Sequence, residues 1–241
     1  MALIEDLLAT VKNDAPVQEV RIGAFWTAVV SARCGLAGTL LDPATVHGQA
    51  AVQDAGRLHE RGALALTSLM RSASPLERGV GVAALNSLLP IDEARCVELN
   101  AADLLAEKGR GKRIAMVGHF PFVPRLRQLA SHLAVLELRP QEGDLPAEDA
   151  VEVIPEADVV AITGSALLNG TLEGLLALCY PDAFVVVLGP TTPLSPVLFD
   201  HGVDVVSGTF VVDHEQVLTQ VSQGANFRQI SGVRLLTMAR G

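Results

Sequence analysis

Five short runs in the second half of the chain are apolar almost without interruption: RIAMVG, LAVLEL, ADVVAITG, AFVVVLG and VDVVSG. Each is strand-length, rich in Val, Ile and Leu, and bounded by glycine or polar residues, the pattern of strands buried on both faces. Helical segments are predicted between them: one starting near Pro121, one from about Ala166 to Cys179 and a short one near Pro196–His201. A short acidic segment separates the second and third strands. HEQVLTQVSQ forms a last helix, with Asp213 as its cap and Gly224 as its stop. Strands alternating with helices in this way make a parallel sheet covered on both sides.

The first half reads differently. MALIEDLLATVKND is patterned as an amphipathic helix, and VQEVRIG and FWTAVVSA, separated by little more than Gly23 and Ala24, suggest an antiparallel pair. GLAGTLLD adds a third short strand or a loop, and helices are expected over Val46–Leu58 and Gly62–Arg71. In SPLERGVGVAALNSLLP, Ser74 can cap a helix, Pro75 suits its first position, Glu77 completes a capping box and Pro90 ends it. The polar stretch Glu107–Arg113, with two glycines, divides the two patterns. The expected fold is α/β: a small α+β domain over residues 1–108, followed by a Rossmann-like parallel-sheet domain over 109–241.

Composition narrows the function classes. Aromatic residues are only 4% of the chain against 49% hydrophobic, so the core must be aliphatic. A formal net charge of −9 disfavours nucleic acid and anionic membranes as partners. The acidic N-terminal segment lacks the bases of a secretory signal, and no apolar run reaches spanning length. Cys34, Cys96 and Cys179 are scattered and odd in number, a cytosolic pattern. The expected location is the cytoplasm. The expected partner is a small molecule, with self-assembly as a homo-oligomer the further candidate.

In open parallel sheets ligands bind beyond the carboxyl ends of the strands, where strand order reverses. Those ends carry Gly118-His119-Phe120, Glu137, Thr163-Gly164-Ser165 with Asn169 a turn later, Gly189-Pro190-Thr191, and Ser207-Gly208-Thr209. Glycines beside hydroxyls, an amide and an imidazole suit a polar ligand approached closely by backbone. G-H-F-P-F-V-P departs from the glycine fingerprint of a dinucleotide pyrophosphate site. Glu137, nineteen residues after Gly118, sits where an acid holds ribose hydroxyls, which fits S-adenosylmethionine or another adenosyl or heterocyclic ligand; a solvated strand-end Glu is the alternative. His119 is the candidate general acid or base, or a residue that caps the turn. Gly79, Ala83 and Asn86 form a narrow small-residue face on one helix, and Asn86 could offer its amide to a cleft or be a satisfied buried amide. Trp26 either lines the same cleft or belongs to the core. No histidine pair has helical metal-site spacing, and C-x-x-C, G-x-S-x-G and Walker motifs are absent, so no side-chain metal site is expected.

The runs GVAALNSLLP, VGHFPFVPRL, VLELRP, ADVVAITGSALLNGTLEGLL and VVLGPTTPLSPVLFDHGVDVVSGTFVVD occur in an order that resembles the putative heavy-metal chelation domain family. The resemblance covers nearly the whole chain and is strongest from Ile114 to Asp213. It implies an enolase-N-terminal-like first domain, a Rossmann-like second domain and a site in the cleft between them. It also implies a role in making or processing pterin-, flavin- or siderophore-like chelating molecules by condensation or hydrolysis. Carried over motif by motif, the implied site residues are Asn86, His119, Phe120, Glu137, Thr163, Gly164, Asn169, Gly189, Pro190 and Thr191. The family commonly reads F-P-P where Phe122 follows Pro121 here, and often has serine at the place of Thr191. Two rival readings stand beside this one: an S-adenosylmethionine-dependent methyltransferase-like enzyme, and a non-enzymatic metal- or metallophore-binding module.

Overall fold

A computed structural model describes residues 2–41 and 50–241. The chain opens with helix α1 (Ala2–Ala9), then strands β1 (Glu19–Ile22), β2 (Trp26–Val30) and β3 (Cys34–Gly38), and helices α2 (Ala63–Thr67), α3 (Pro75–Leu88) and α4 (Ala101–Lys108). It continues through β4 (Arg113–Val117), α5 (Val123–Leu129), β5 (His132–Glu137), β6 (Leu145–Pro146), α6 (Ala150–Val153), β7 (Val159–Thr163) and α7 (Leu172–Leu178). Last come β8 (Phe184–Leu188), α8 (Val197–Asp200), β9 (Val205–Val211), α9 (His214–Ser222) and β10 (Val233–Ala239).

Strands β1, β2 and β3 form a three-stranded antiparallel sheet, so GLAGTLLD does supply a third strand. The larger sheet has seven strands in the order β10-β9-β8-β7-β4-β5-β6, all parallel except β10, which runs against β9. The architecture is therefore α/β, with a small antiparallel sheet and a larger, mostly parallel one. From β4 the chain moves outward to β5 and β6, then returns to the other side of β4 with β7. The strand order reverses between β4 and β7, and the crevice for a ligand opens there.

Alternation along the central strands explains how both faces are covered. Ile114 and Met116 point to one side with Val135, Val159 and Ala161, under Leu105 of α4 and Val123 and Leu126 of α5. Ala115, Leu136, Val160 and Ile162 point to the other, in a core that also takes in Leu3 and Leu7 of α1, Val80 and Leu85 of α3, and Val29 and Ala37 of the small sheet. One continuous core thus runs beneath both sheets. The opposite face of the small sheet, with Ala28, Val30 and Leu36, is covered from the far end of the chain by Val217, Leu218 and Val221 of α9. Trp26 belongs to that side, with its ring 5.5 Å from Phe227, and does not line the cleft described below.

Several local expectations need correction. The expected helix Val46–Leu58 lies partly outside the described residues; its described part is turns leading into a 3-10 turn at Leu58–Glu60. The second helix is shorter than Gly62–Arg71, because α2 tightens into 3-10 geometry over Ser68–Arg71. Ser74 does accept the Glu77 amide at 3.4 Å, yet the capping box is only half made. The Glu77 carboxylate turns instead to the Gln53 amide and the Ser72 hydroxyl, and Ser72 takes the Ser74 amide at 3.0 Å. The helix expected from Ala166 begins as a 3-10 turn over Gly164–Leu167, and α7 starts only at Leu172. Asp213 caps α9 through the Gln216 amide at 3.0 Å, and Gly224 follows with φ of 73°. Among the described residues no helix is long and apolar enough to cross a membrane.

Candidate functional site

A cleft of about 320 Å³ opens at the carboxyl ends of β4, β5 and β7. Its walls include Gly118, His119, Phe120, Glu137, Thr163, Ser165 and Asn169, together with Thr171 and Leu138. Leu40, just beyond β3, is the contribution of the first half among the described residues. Seven residues singled out from the sequence are therefore gathered by the switch point. Gly118 has φ of 101°, and a β-carbon there would press on Thr163 and Phe120, so the turn after β4 requires glycine. Gly189, at φ of 110°, makes the equivalent turn after β8 beside the same two side chains. Phe120 stacks on Phe122, with centroids 5.2 Å apart and planes 19° from parallel. Phe122, the departure from F-P-P, thus backs the ring that faces the cleft.

The polar end of the cleft is organised by carboxylates. Glu137 Oε1 accepts the His119 amide at 2.7 Å, and Oε2 accepts the Leu138 amide at 3.1 Å. His119 Nδ1 lies 2.9 and 3.1 Å from the two oxygens of Asp144, whose side chain is fully buried. Asp144 also accepts the Gln141 amide at 3.2 Å and stands 3.7 Å from Arg127, which donates to the Gly143 carbonyl at 2.8 Å. Sequence reasoning missed Asp144. It lies in a polar segment, and only the pairing of β6 with Leu136 and Glu137 brings it under His119.

The remaining residues sit behind the cleft. Asn86 donates to the carbonyls of Leu36 at 3.0 Å and Thr191 at 3.4 Å. Thr191 accepts the Gly38 amide at 2.9 Å and lies 3.4 Å from the Ser165 hydroxyl. Gly164 is packed against Thr192, with no room for a β-carbon. Asn86, Gly164 and Thr191 therefore stitch β3 and α3 to the loops after β7 and β8, one layer from the ligand space. Pro190 and Gly189 shape the second of those loops. The small-residue face of α3 serves a close approach: a β-carbon on Gly35 of β3 would lie 2.0 Å from the Ala83 carbonyl oxygen. Among the described residues no group of three or more His, Cys, Asp or Glu side chains is arranged to hold a metal ion.

Residues 4–89 and 100–239 match two family profiles, both described as "putative heavy-metal chelation". The "Uncharacterized protein MJ0500" of Methanocaldococcus jannaschii is 28% identical over 191 residues, covering 76% of this chain and 72% of that protein. A crystal structure of a DUF364 protein with unknown function from Desulfitobacterium hafniense superposes with a TM-score of 0.88 at 24% identity, covering 99% of this chain and 98% of that one. A second, from Pyrococcus horikoshii, has a TM-score of 0.81 at 20% identity with the same coverage. At these identities the two structures speak for the fold alone. The profile match spans most of the chain, and the protein belongs to the DUF364 family, described as putative heavy-metal chelation.

Proposed function

We propose that the protein binds, and processes by condensation or hydrolysis, a polar heterocyclic small molecule of the pterin, flavin or siderophore kind. The ligand occupies the cleft at the carboxyl ends of β4, β5 and β7, to which Leu40 is added from the first half of the chain. The observation that carries this reading is the pairing of a flat platform with a polar rim. Phe120, backed by Phe122, offers one aromatic face, while Thr163, Ser165, Asn169, Thr171 and Glu137 ring the same space. Aromatic faces stack with planar rings, and a few placed polar groups fix orientation. Metal handling then belongs to the ligand rather than to protein side chains. His119 is the acid–base candidate.

The test is calorimetric titration with a pterin, a flavin, a catecholate siderophore and S-adenosylmethionine, repeated on Phe120→Ala and Ser165→Ala. Binding of one heterocycle, weakened by both substitutions, is expected. Failure of all of them, or binding indifferent to both substitutions, overturns the reading. S-adenosylmethionine is retained as the second reading because Glu137 ends the strand beside β4 and lines the cleft. Both of its oxygens already hold backbone amides, leaving fewer lone pairs for ribose hydroxyls.

A further inference from the structure

We infer that Asp144 is a positioning residue that fixes the His119 ring as a base, with Nε2 as the proton acceptor in the cleft. The inference rests on the cleft reading above, but its first test needs no ligand. A carboxylate can only accept hydrogen bonds, so a ring nitrogen 2.9 Å from one of its oxygens and 3.1 Å from the other carries the proton. Nδ1 is therefore the N–H of the neutral ring and Nε2 holds the lone pair. Among the described residues Nε2 makes no hydrogen bond, while His119 lines the cleft.

The ring is held from two directions. Its backbone amide is tied to Glu137 at the end of β5, and its Nδ1 to Asp144 one residue before β6. Asp144 is itself fixed by the Gln141 amide, by Arg127, and by the turn at Gly143, whose φ is 83°. A buried carboxylate behind an imidazole orients it and stabilises the imidazolium that proton transfer creates. In the step this permits, a proton leaves an N–H or O–H of the ligand, or of a water attacking it, for Nε2. The Nδ1 proton stays in place, the new positive charge faces Asp144, and the Nε2 proton is later returned to the leaving group.

Nitrogen NMR of the ¹⁵N-histidine-labelled full chain, above the pH at which the rings are protonated, reads the tautomer; His119→Gln assigns the signal. The expected result is an Nδ1–H majority at His119, reverting to Nε2–H in Asp144→Ala. Diethyl pyrocarbonate, which acylates the free ring lone pair, supplies a second readout by mass spectrometry. His119 should react faster than the exposed His59 and His214, and in Asp144→Asn should fall to their level. An Nε2–H majority in the unaltered protein overturns the inference, as does reactivity unchanged by Asp144→Asn. Because the tautomer is measured without ligand, failure there sinks the dyad alone, whereas failure of heterocycle binding sinks the cleft reading.

Discussion

Glu137 accepts the backbone amide of His119 at 2.7 Å, so the acid at the end of one strand sets the start of the turn after its neighbour. That bond gives Glu137 a structural duty in addition to any ligand contact. Glu137→Ala leaves two amides without their charged acceptor and should cost about 1–3 kcal/mol. Urea unfolding measures it, and an unchanged midpoint would show that water replaces the carboxylate freely.

His119 carries an unequal liability in its two substitutions. His119→Ala strips the fully buried Asp144 of its nearest donor, and the orphaned carboxylate should cost about 1–3 kcal/mol. His119→Gln can offer an amide N–H to the same oxygens and should lose less. Comparing the two unfolding free energies checks this; equal losses would mean that Arg127 and the Gln141 amide suffice for Asp144.

Thr191 joins the two sheets through a hydroxyl, at 1% exposure. Thr191→Val keeps the volume but leaves the Gly38 amide unpaired, at a cost of about 1–3 kcal/mol. Thr191→Ser keeps the acceptor and loses only a methyl group, for roughly 1 kcal/mol. Denaturant midpoints should fall in the order Val below Ser below Thr.

Gly35 has no space for any side chain, since its β-carbon would meet the backbone of α3 at Ala83 and Ser87. Overpacking of this kind costs about 1–3 kcal/mol and more where backbone must move. Gly35→Ala should lower the melting temperature sharply, whereas Gly174→Ala, with open space around it, should not.

The cysteines should resist alkylation in the native chain. Burial, aided by Glu19, pushes the Cys34 thiol up to about 12, and burial, aided by Asp204, pushes Cys179 up to about 11. Cys96 is also raised, chiefly by burial, with Asp92 and Glu93 adding to it. Only the thiolate reacts, so brief iodoacetamide treatment at pH 8 should label Cys96 first and Cys34 last. A thiol held protonated in the folded state favours folding below its ordinary value of about 9. That contribution is lost as pH rises through about 11 and 12. Rapid native labelling of Cys34 would contradict this.

Five of the six parallel strands were legible because runs of Val, Leu, Ile and Ala, buried on both faces, dominate them. Strand β10 was not, because at the sheet edge Val233 to Leu235 are half-buried or exposed and include Arg234, which leaves only Leu236, Thr237 and Met238 as a buried run. Strand β6 is two residues long and exists only through its pairing with Leu136 and Glu137. Gly118, His119 and Glu137 could be placed at the site because strand ends are readable. Asp144 could not, since its partner is 25 residues away and is supplied by tertiary pairing. Glu77 shows the reverse: a correct local signal whose side chain was drawn off by Ser72 and Gln53.

The covering of the small sheet by α9 bears on how the chain is made. Strands β1 to β3 leave the ribosome early, yet the Arg21 guanidinium awaits the Leu218 carbonyl, 197 residues later. Until then Ala28, Val30 and Leu36 face water on a bare sheet. Contacts of such sequence separation form late and slow the approach to the native state. An N-terminal fragment ending near the seam should therefore aggregate on its own through the apolar face it leaves bare.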